Sequence, residues 1–141
     1  MLDGRLPHGK EARLFYRCAK QRLGEARVLQ EAFMPTGAVY LAGYSVECIL
    51  KALIFSVVPL VQIEAVLGSF RGVRAHDYNW LRDQYRLRGG ASFPGQVNRD
   101  FTLVNIWSTN LRYELAAFRE PEAEEFLKSV GRIIEWAEGR I

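Results

Sequence analysis

Three polar side chains interrupt the most apolar stretch of the sequence. Tyr44, Glu47 and Lys51 are spaced three and four residues apart, so a helix would place all three on one face. One interpretation is an exposed ion pair between Glu47 and Lys51, which contributes only about 0.3–0.5 kcal/mol at this spacing. The other interpretation turns Glu47 inward, where its carboxylate needs a cation such as Arg112.

The inward interpretation predicts a binding site for the phosphate of a nucleotide or RNA. Lys51 and Arg112 would contact the phosphate, and Tyr113 would stack or form a hydrogen bond. Glu47 would orient Arg112. These four residues, together with Tyr44 on the same helical face, are the predicted nucleotide-binding or phosphate-binding site, which needs no catalytic histidine.

A histidine preceded by two arginines is the second candidate site. The run Arg71-Gly-Val-Arg-Ala-His76 places an acid or base near Arg71 and Arg74, whose guanidinium groups could hold an RNA phosphate. His76 and Arg71 are therefore the candidate catalytic residues of an RNase. The alternative is that His76 only begins a helix and packs beside Trp80. The other histidine, His8, lies in a segment with Gly and Pro, which makes it a poor catalytic candidate.

Other kinds of active site are disfavoured because the sequence lacks their motifs. It contains no CxxC pair, no HExxH, no P-loop motif and no GxSxG. We therefore expect no zinc enzyme, P-loop NTPase or serine hydrolase, and neither a metal nor a cofactor. Cys18 and Cys48 fall within apolar helical patterns, and no secretory signal precedes them, which predicts reduced thiols in a cytoplasmic protein.

The net charge of +3 combines 15 arginines with only four lysines. Guanidinium groups bind phosphates and carboxylates in a bidentate manner, so the excess of arginine favours an anionic partner. A genome rich in G and C would give the same excess without a functional reason. Five cations also recur along one edge of the first predicted helix, as a phosphate-binding ridge or an ordinary solvated face: Lys10, Arg13, Arg17, Lys20 and Arg27.

Apolar residues recur with helical spacing along nearly the whole chain, and no segment alternates as a strand does. We expect an all-α, up-and-down helical bundle of four long helices plus one short helix, in a single domain of residues 1–141 with its core at about 10–138. The expected helical segments are Glu11 to Phe33, Thr36 to the residues before Pro59, Gln62 to Phe70, Asp77 to Arg88, a stripe from Val97 through Phe101, Val104 and Trp107 to Leu111, and a last helix from Pro121.

The segment from Thr36 to Val61 is apolar enough to raise the question of a membrane span. Glu47 and Lys51 lie in its middle, where two full charges would be costly in a bilayer, and Pro59 ends it. We therefore expect a buried central helix and no membrane association.

Three groups of residues resemble motifs of the HEPN domain family. The run Ala42-Gly43-Tyr44-Ser45-Val46-Glu47-Cys48-Ile49-Leu50-Lys51-Ala52-Leu53 resembles the second helix of HEPN proteins, with its AGYxVExxLKAL core. His76-Asp77 followed by Trp80-Leu81 resembles the start of the third helix of the family. Trp107 followed by Leu111-Arg112-Tyr113-Glu114 resembles its signature of a tryptophan followed by Arg-Tyr. The likeness spans roughly residues 10 to 138.

The resemblance implies a bundle of four to five helices, commonly a homodimer, often encoded beside a minimal nucleotidyltransferase as a toxin–antitoxin pair. Many HEPN members are metal-independent RNases with an Arg-x(4–6)-His motif near the start of the fourth long helix, but no histidine follows Arg112 at that place here. Three functions remain open. The chain is a phosphate-binding module, an RNase that uses His76, or a structural or regulatory partner protein with Trp80, Tyr85 and Trp107 as candidate anchors.

Overall fold

The computed structural model describes residues 9–141, and the regular structure in that range is entirely helical. Its α-helices are α1 (Lys10–Glu31), α2 (Pro35–Val57), α3 (Ile63–Ser69), α4 (Tyr78–Leu87), α5 (Gly95–Val104) and α6 (Glu120–Glu138). Short 3₁₀ helices lie between them at Leu60–Gln62, Val73–His76 and Thr109–Tyr113. The predicted all-α bundle is confirmed, with three long helices, two of ten residues and one of seven in place of four long and one short. His8 lies outside the described residues.

The apolar stripe from Val97 to Leu111 does not form one helix. α5 ends at Val104, and Leu111 belongs to the separate 3₁₀ helix Thr109–Tyr113. Trp107 and Leu111 are nevertheless only 5% and 8% exposed. The spacing of these residues therefore predicts correctly that they are buried, although it is wrong that one helix carries them all. A 3₁₀ turn can bring apolar side chains to the core as an α-helix would.

α2 is the central helix of the fold. It packs against α1, α4, α6 and the 3₁₀ helix Thr109–Tyr113. By length and composition it could cross a membrane, with a mean hydropathy of 1.6 in its most apolar window, but 78% of that window is buried inside the fold. α2 is thus placed as the buried core helix that the sequence predicts.

Trp107 approaches α2 so closely that position 43 must be a glycine. A Cβ atom at Gly43 would lie 2.0 Å from Nε1 of Trp107. The same indole N–H donates a hydrogen bond to the Tyr40 carbonyl at 3.1 Å, and the Tyr78 hydroxyl donates to the Gly43 carbonyl at 2.6 Å. The indole and the phenol therefore lie directly on the backbone of α2.

Substituting Gly43 by alanine should destabilise the protein. The added methyl group would displace Trp107, and we expect this overpacking to lower the free energy of unfolding by about 1–3 kcal/mol. Gly24→Ala is the matched control, because Gly24 lies within α1 and a Cβ there meets no atom within 4 Å. That change should raise stability by about 0.5–1 kcal/mol. Urea unfolding followed by circular dichroism measures both, and equal effects would contradict the close-packing argument.

A buried carboxylate joins α5 to α6. Asp100 is 2% exposed and accepts hydrogen bonds from Nη2 of Arg132 at 2.9 Å and from Oγ of Ser129 at 3.1 Å. Burial acts to raise the pKa of Asp100, but the hydrogen bonds from Arg132 and Ser129 outweigh burial, so that the pKa falls below the usual value of 3.8. The ionised form of Asp100 therefore holds the two helices together.

The lowered pKa of Asp100 predicts a dependence of stability on pH. A carboxyl group with a lower pKa in the folded state stabilises that state above the unfolded pKa, and the stabilisation is lost as the pH falls through the folded value. Asp100→Asn should lower the free energy of unfolding by about 1–3 kcal/mol at neutral pH and flatten its decline below about pH 4. Urea unfolding across this range is the measurement, with the exposed Asp83→Asn as control. An unchanged pH profile in Asp100→Asn would show that Asp100 is not the titrating group.

Candidate functional site

Glu47 and Lys51 form an ion pair inside the fold, one turn apart on α2. Nζ of Lys51 lies 2.8 Å from Oε2 of Glu47, and the side chains of Lys51 and Glu47 are only 8% and 7% exposed. The ammonium group also lies 5.1 Å from the ring centroid of Phe70 and 5.7 Å from that of Phe15. Lys51 is therefore enclosed by its partners. Of the two interpretations of this polar strip, the structure supports the inward one.

The second oxygen of the Glu47 carboxylate binds His76. Nδ1 of His76 lies 2.7 Å from Oε1 of Glu47, while the histidine side chain is 46% exposed. Because an ionised carboxylate can only accept, this contact assigns a ring proton to Nδ1 and leaves Nε2 as the ring nitrogen that Glu47 does not engage. Within residues 9–141, the side-chain partners of Glu47 are Lys51 and His76, not Arg112 as the inward interpretation proposed.

His76 lies at the edge of a groove of about 270 Å³. One wall comes from the 3₁₀ helix Val73–His76 and the start of α4, and the other comes from the segment that follows α5. The lining residues are Val73, His76, Asp77, Tyr78, Asn105, Trp107, Ser108 and Thr109. A groove with polar side chains above an aromatic base can orient a polar ligand.

Capping side chains fix both walls of this groove. The Asp77 carboxylate accepts hydrogen bonds from two backbone N–H groups in the first turn of α4, so the helix starts directly after His76. Asp77 is thus the N-cap of α4, at the start of the helical segment that the sequence predicts from Asp77 to Arg88. On the other wall, the Ser108 hydroxyl accepts from the N–H of Asn110 at 3.1 Å and starts the 3₁₀ helix Thr109–Tyr113.

Aromatic side chains form the base of the groove. The ring of Trp107 stacks on that of Tyr78 with centroids 5.5 Å apart, and Tyr44 meets Trp107 edge-on at 4.9 Å. Tyr44 also lies edge-on to His76, at 6.5 Å. Burial and the hydroxyl of Tyr40, 3.2 Å away, raise the pKa of Tyr44 to about 12. Tyr44 is therefore a neutral phenol beside His76 at physiological pH.

Arg112 and Tyr113 lie on the surface next to this cluster. Both are exposed, and the guanidinium carbon of Arg112 is 4.9 Å from the ring centroid of Tyr113. Burial raises the pKa of Tyr44, and the positive charge of Arg112 lowers it slightly. Arg112 and Tyr113 are the exposed members of the predicted binding site, whereas Glu47 and Lys51 are its buried members.

Arg71 and Arg74 are exposed and precede His76 in the chain. Arg71 belongs to the turn after α3, where its N–H bonds to the Gly68 carbonyl at 3.3 Å, and Arg74 lies in the 3₁₀ helix of His76. In the part of the chain that the structure describes, neither guanidinium forms an ion pair. The catalytic role of Arg71 and His76 stays a prediction.

The cationic ridge expected on α1 is partly neutralised. Lys20 forms an ion pair with Glu138 of α6 at 2.9 Å. Arg13, Arg17 and Arg27 remain exposed. The ridge is therefore a shorter basic face than the sequence suggests.

The aromatic residues considered as anchors for a partner lie mostly inside the fold. Tyr85 and Trp107 are 2% and 5% exposed, and Trp80 is half-buried against Phe70. An interaction surface on this protein must therefore use other side chains.

The cysteines give no sign of reactivity. Cys18 and Cys48 are free thiols. Burial, with a smaller contribution from the negative charge of Glu47, raises the pKa of Cys48 to about 12, which keeps it protonated and a poor nucleophile. Among residues 9–141, no group of three or more His, Cys, Asp and Glu side chains is arranged to hold a metal ion.

Comparison with known proteins agrees with the fold and with the motifs around the groove. The family model for the HEPN domain matches residues 12–140, which is nearly the whole chain. No significant match was found among curated proteins or among solved structures. The family match confirms the resemblance carried by the α2 run, by His76-Asp77 and by the segment from Trp107 to Glu114, and the chain belongs to the HEPN family.

Proposed function

We propose that this HEPN domain binds a phosphate group of a nucleotide or RNA in the groove beside His76. The proposal depends on the 2.7 Å contact between His76 and the buried carboxylate of Glu47. The half-exposed ring of His76 is held through Nδ1, so that Nε2 is left for a ligand and, in the protonated ring, carries a second N–H. There it can donate a charge-assisted hydrogen bond to a phosphate oxygen without any change of ring orientation.

Two arginines belong to the chain segments that form the walls of the groove, although neither is itself a lining residue. Arg74 lies in the 3₁₀ helix that ends at His76, and Arg112 lies in the 3₁₀ helix that begins at Thr109. Both arginines are exposed, and Thr109 lines the groove itself. Guanidinium groups bind phosphate oxygens in a bidentate manner, so these positions favour an anionic ligand.

Tyr113 is suited to the base of a nucleotide. It is 75% exposed, with the guanidinium of Arg112 over its ring. Exposed aromatic rings beside cations are typical stacking platforms for the bases of single-stranded nucleic acids. The groove of about 270 Å³ is small for a whole cofactor. We infer that the groove takes the phosphate while the base lies on the surface.

The buried members of the predicted site support the exposed ones. Lys51 neutralises Glu47, and Glu47 in turn holds His76, so Lys51 stabilises the orienting carboxylate and does not contact the phosphate itself. Tyr44 packs against the imidazole from the side. In this proposal the direct contacts come from His76, Arg112 and Tyr113.

Membership of the HEPN family supports three broader proposals. We infer that the chain forms a homodimer, that it works in the cytoplasm, and that it is paired with a minimal nucleotidyltransferase as a toxin–antitoxin system. A nucleotidyltransferase gene adjacent to this one would support the last proposal.

Removing the positive group of His76 or Arg112 should weaken RNA binding. We expect His76→Asn and Arg112→Gln each to raise the Kd for a short single-stranded RNA about tenfold, because a hydrogen bond to a charged group contributes about 1.5–3 kcal/mol. Arg86→Gln is the matched control, since Arg86 is an exposed arginine in the last turn of α4, whereas only the first residue of that helix lines the groove. Fluorescence anisotropy at low ionic strength gives the Kd of each variant.

Two results would contradict the binding proposal. The first is that the wild-type chain binds neither RNA nor a nucleotide such as ATP at low ionic strength. The second is that Arg86→Gln weakens binding as much as Arg112→Gln, which would mean that the chain attracts RNA through its general positive charge and not through this groove.

RNA cleavage is a second candidate function, favoured by the Nε2 of His76 that Glu47 does not engage. With Nδ1 protonated towards Glu47, a neutral His76 can accept the proton of a ribose 2′-hydroxyl at Nε2. The 2′-oxygen then attacks phosphorus, the bond from phosphorus to the 5′-oxygen breaks, and that oxygen takes a proton from water. The products are a 2′,3′-cyclic phosphate and a 5′-hydroxyl, and His76 returns its proton to the hydroxide. Arg71 would hold the phosphate in this step.

Cleavage by this route should depend on both His76 and Glu47. His76→Ala should lower the cleavage rate by about 10²–10⁴. Glu47→Gln should also lower it, and by more than it weakens RNA binding, because the amide keeps the shape but not the charge that orients the imidazole, whereas Arg112 and Tyr113 still contact the RNA. Mass spectrometry of RNA fragments, with a chelator present, follows the rate and identifies the cyclic phosphate ends, and thermal unfolding verifies that Glu47→Gln is folded.

The cleavage hypothesis and the binding proposal can fail separately. Cleavage that is unchanged in His76→Ala, or a wild-type chain that does not cleave RNA, would remove the RNase hypothesis. Binding that depends on His76 and Arg112 would still stand.

A further inference from the structure

Exposed apolar side chains surround Phe118 at the end of the bundle where α2 and α6 begin. The terminal patch, as we call this surface, consists of residues that are between 39% and 100% exposed: Phe33, Met34, Leu103, Ile106 and Leu115. Two grooves, of about 360 and 330 Å³, share Phe118, and the patch residues line one or the other. Contiguous apolar surfaces of this kind mark interaction sites more often than isolated exposed residues do.

Phe33 has a backbone conformation that normally belongs to glycine. Its φ is +60°, and no other non-glycine residue in the described range has a positive φ. Its N–H bonds to the Gln30 carbonyl at 3.1 Å, and that of Met34 bonds to the Leu29 carbonyl at 2.9 Å, a helix end at which glycine is favoured. Phe33 is also 73% exposed, so its ring gains little packing in return. A strained backbone that carries an exposed aromatic ring indicates that the Phe33 side chain serves an interaction with another molecule and not the packing of this chain.

Carboxylates border the terminal patch. Glu122 and Glu125 line the larger groove, and Glu120 lies in the same first turns of α6. Arg119 is 3.1 Å from Glu122 and is engaged there. Within residues 9–141, Glu120 and Glu125 have no ion-pair partner. This end of the molecule is therefore acidic, although the chain carries a net charge of +3.

We propose that the terminal patch binds a basic amphipathic helix of another protein. Apolar side chains on one face of such a helix, at i, i+3 or i+4 and i+7, fill the two grooves that meet at Phe118. Lysines or arginines on its flanks face Glu120 and Glu125, which sets its orientation. Phe33 and Leu115 are the exposed side chains that it covers.

The acidic border argues against other occupants. A second copy docked on the same patch would bring a second acidic border into the interface, which a basic segment would not. RNA and anionic membranes would likewise place negative charge against the border. Charge thus favours a basic protein segment.

Two designed helical peptides test the proposal on the full chain. Both carry Leu and Phe on one face, and they differ only in having Lys or Glu at the remaining positions. We expect fluorescence anisotropy to show binding of the lysine peptide and none of the glutamate peptide, although the net charge of the chain is +3 and favours the reverse. Equal or tighter binding of the glutamate peptide would overturn the proposal.

Phe33→Gly separates a docking role from a structural one. Glycine removes the strain of the positive φ, so this variant should unfold at a higher temperature while its Kd for the lysine peptide rises about tenfold. Leu115→Ser and Glu125→Lys should weaken binding in the same direction. Leu87→Ser is the matched control, because Leu87 is a 79% exposed leucine on α4 outside the patch and its loss should leave the Kd unchanged.

Three outcomes with these variants would overturn the assignment. A lower stability of Phe33→Gly would show that the ring serves the fold. An unchanged Kd in both Phe33→Gly and Leu115→Ser would place the peptide elsewhere. A dimer in light scattering that Leu115→Ser dissociates would make the occupant a second copy of the chain.

Discussion

The buried carboxylate of Glu47 is the constraint on which the arrangement of the site depends. An ionised carboxylate inside a helical core is costly unless its oxygens are paired. Removing one partner of a buried ion pair destabilises a protein more than replacing the whole pair by apolar residues, because it leaves the other charge buried and unpaired. Lys51 supplies one partner from the next turn of the same helix. His76 supplies the other from a distant part of the chain, 29 residues later. The turn before α4 is thereby tied to the centre of the bundle, and the helix that Asp77 caps starts from a fixed point.

The aromatic base of the groove, and with it the wall opposite His76, depends on the preceding turns of α2. Trp107 lies against the backbone at Gly43 and donates to the Tyr40 carbonyl, and Tyr78 donates to the Gly43 carbonyl. Backbone carbonyls within a helix already accept one hydrogen bond each, so these contacts use their second lone pairs. A glycine is needed because any larger side chain would hold the indole away. Both walls of the groove are therefore positioned by α2, which explains why the most distinctive motif of the sequence lies in a helix that contributes no exposed cation.

The sequence predicts the helices and the polar strip on one face of α2 because each follows from local spacing, but it left open whether that strip faces inward or outward. It also predicts the family, since the α2 run, His76-Asp77 and the segment from Trp107 onwards keep their order and identity. It does not predict the partner of Glu47. Periodicity tells which face of α2 carries the carboxylate, but Arg112 and His76 both lie in turns whose paths have no periodic signal, so the expected partner Arg112 was wrong and His76 was missed. For the same reason the sequence assigns the stripe through Trp107 and Leu111 to one helix. In the structure Trp107 follows the end of α5 and Leu111 lies in a separate 3₁₀ helix, although both side chains reach the core.

The irregular segment between α5 and α6 connects the two surfaces for which we propose ligands. Ser108 and Thr109 line the groove of His76, whereas Leu115, Ala116 and Phe118 line the grooves of the terminal patch. Both ends of the segment are held, because the Asp100 carboxylate joins α5 to α6 and the N–H of Phe118 bonds to the Thr36 hydroxyl at 3.2 Å. Segments of this kind, with few regular backbone hydrogen bonds of their own, are where local opening costs least. A helix seated on Leu115 and Phe118 would therefore contact the same segment that carries Thr109 and Arg112 beside the groove.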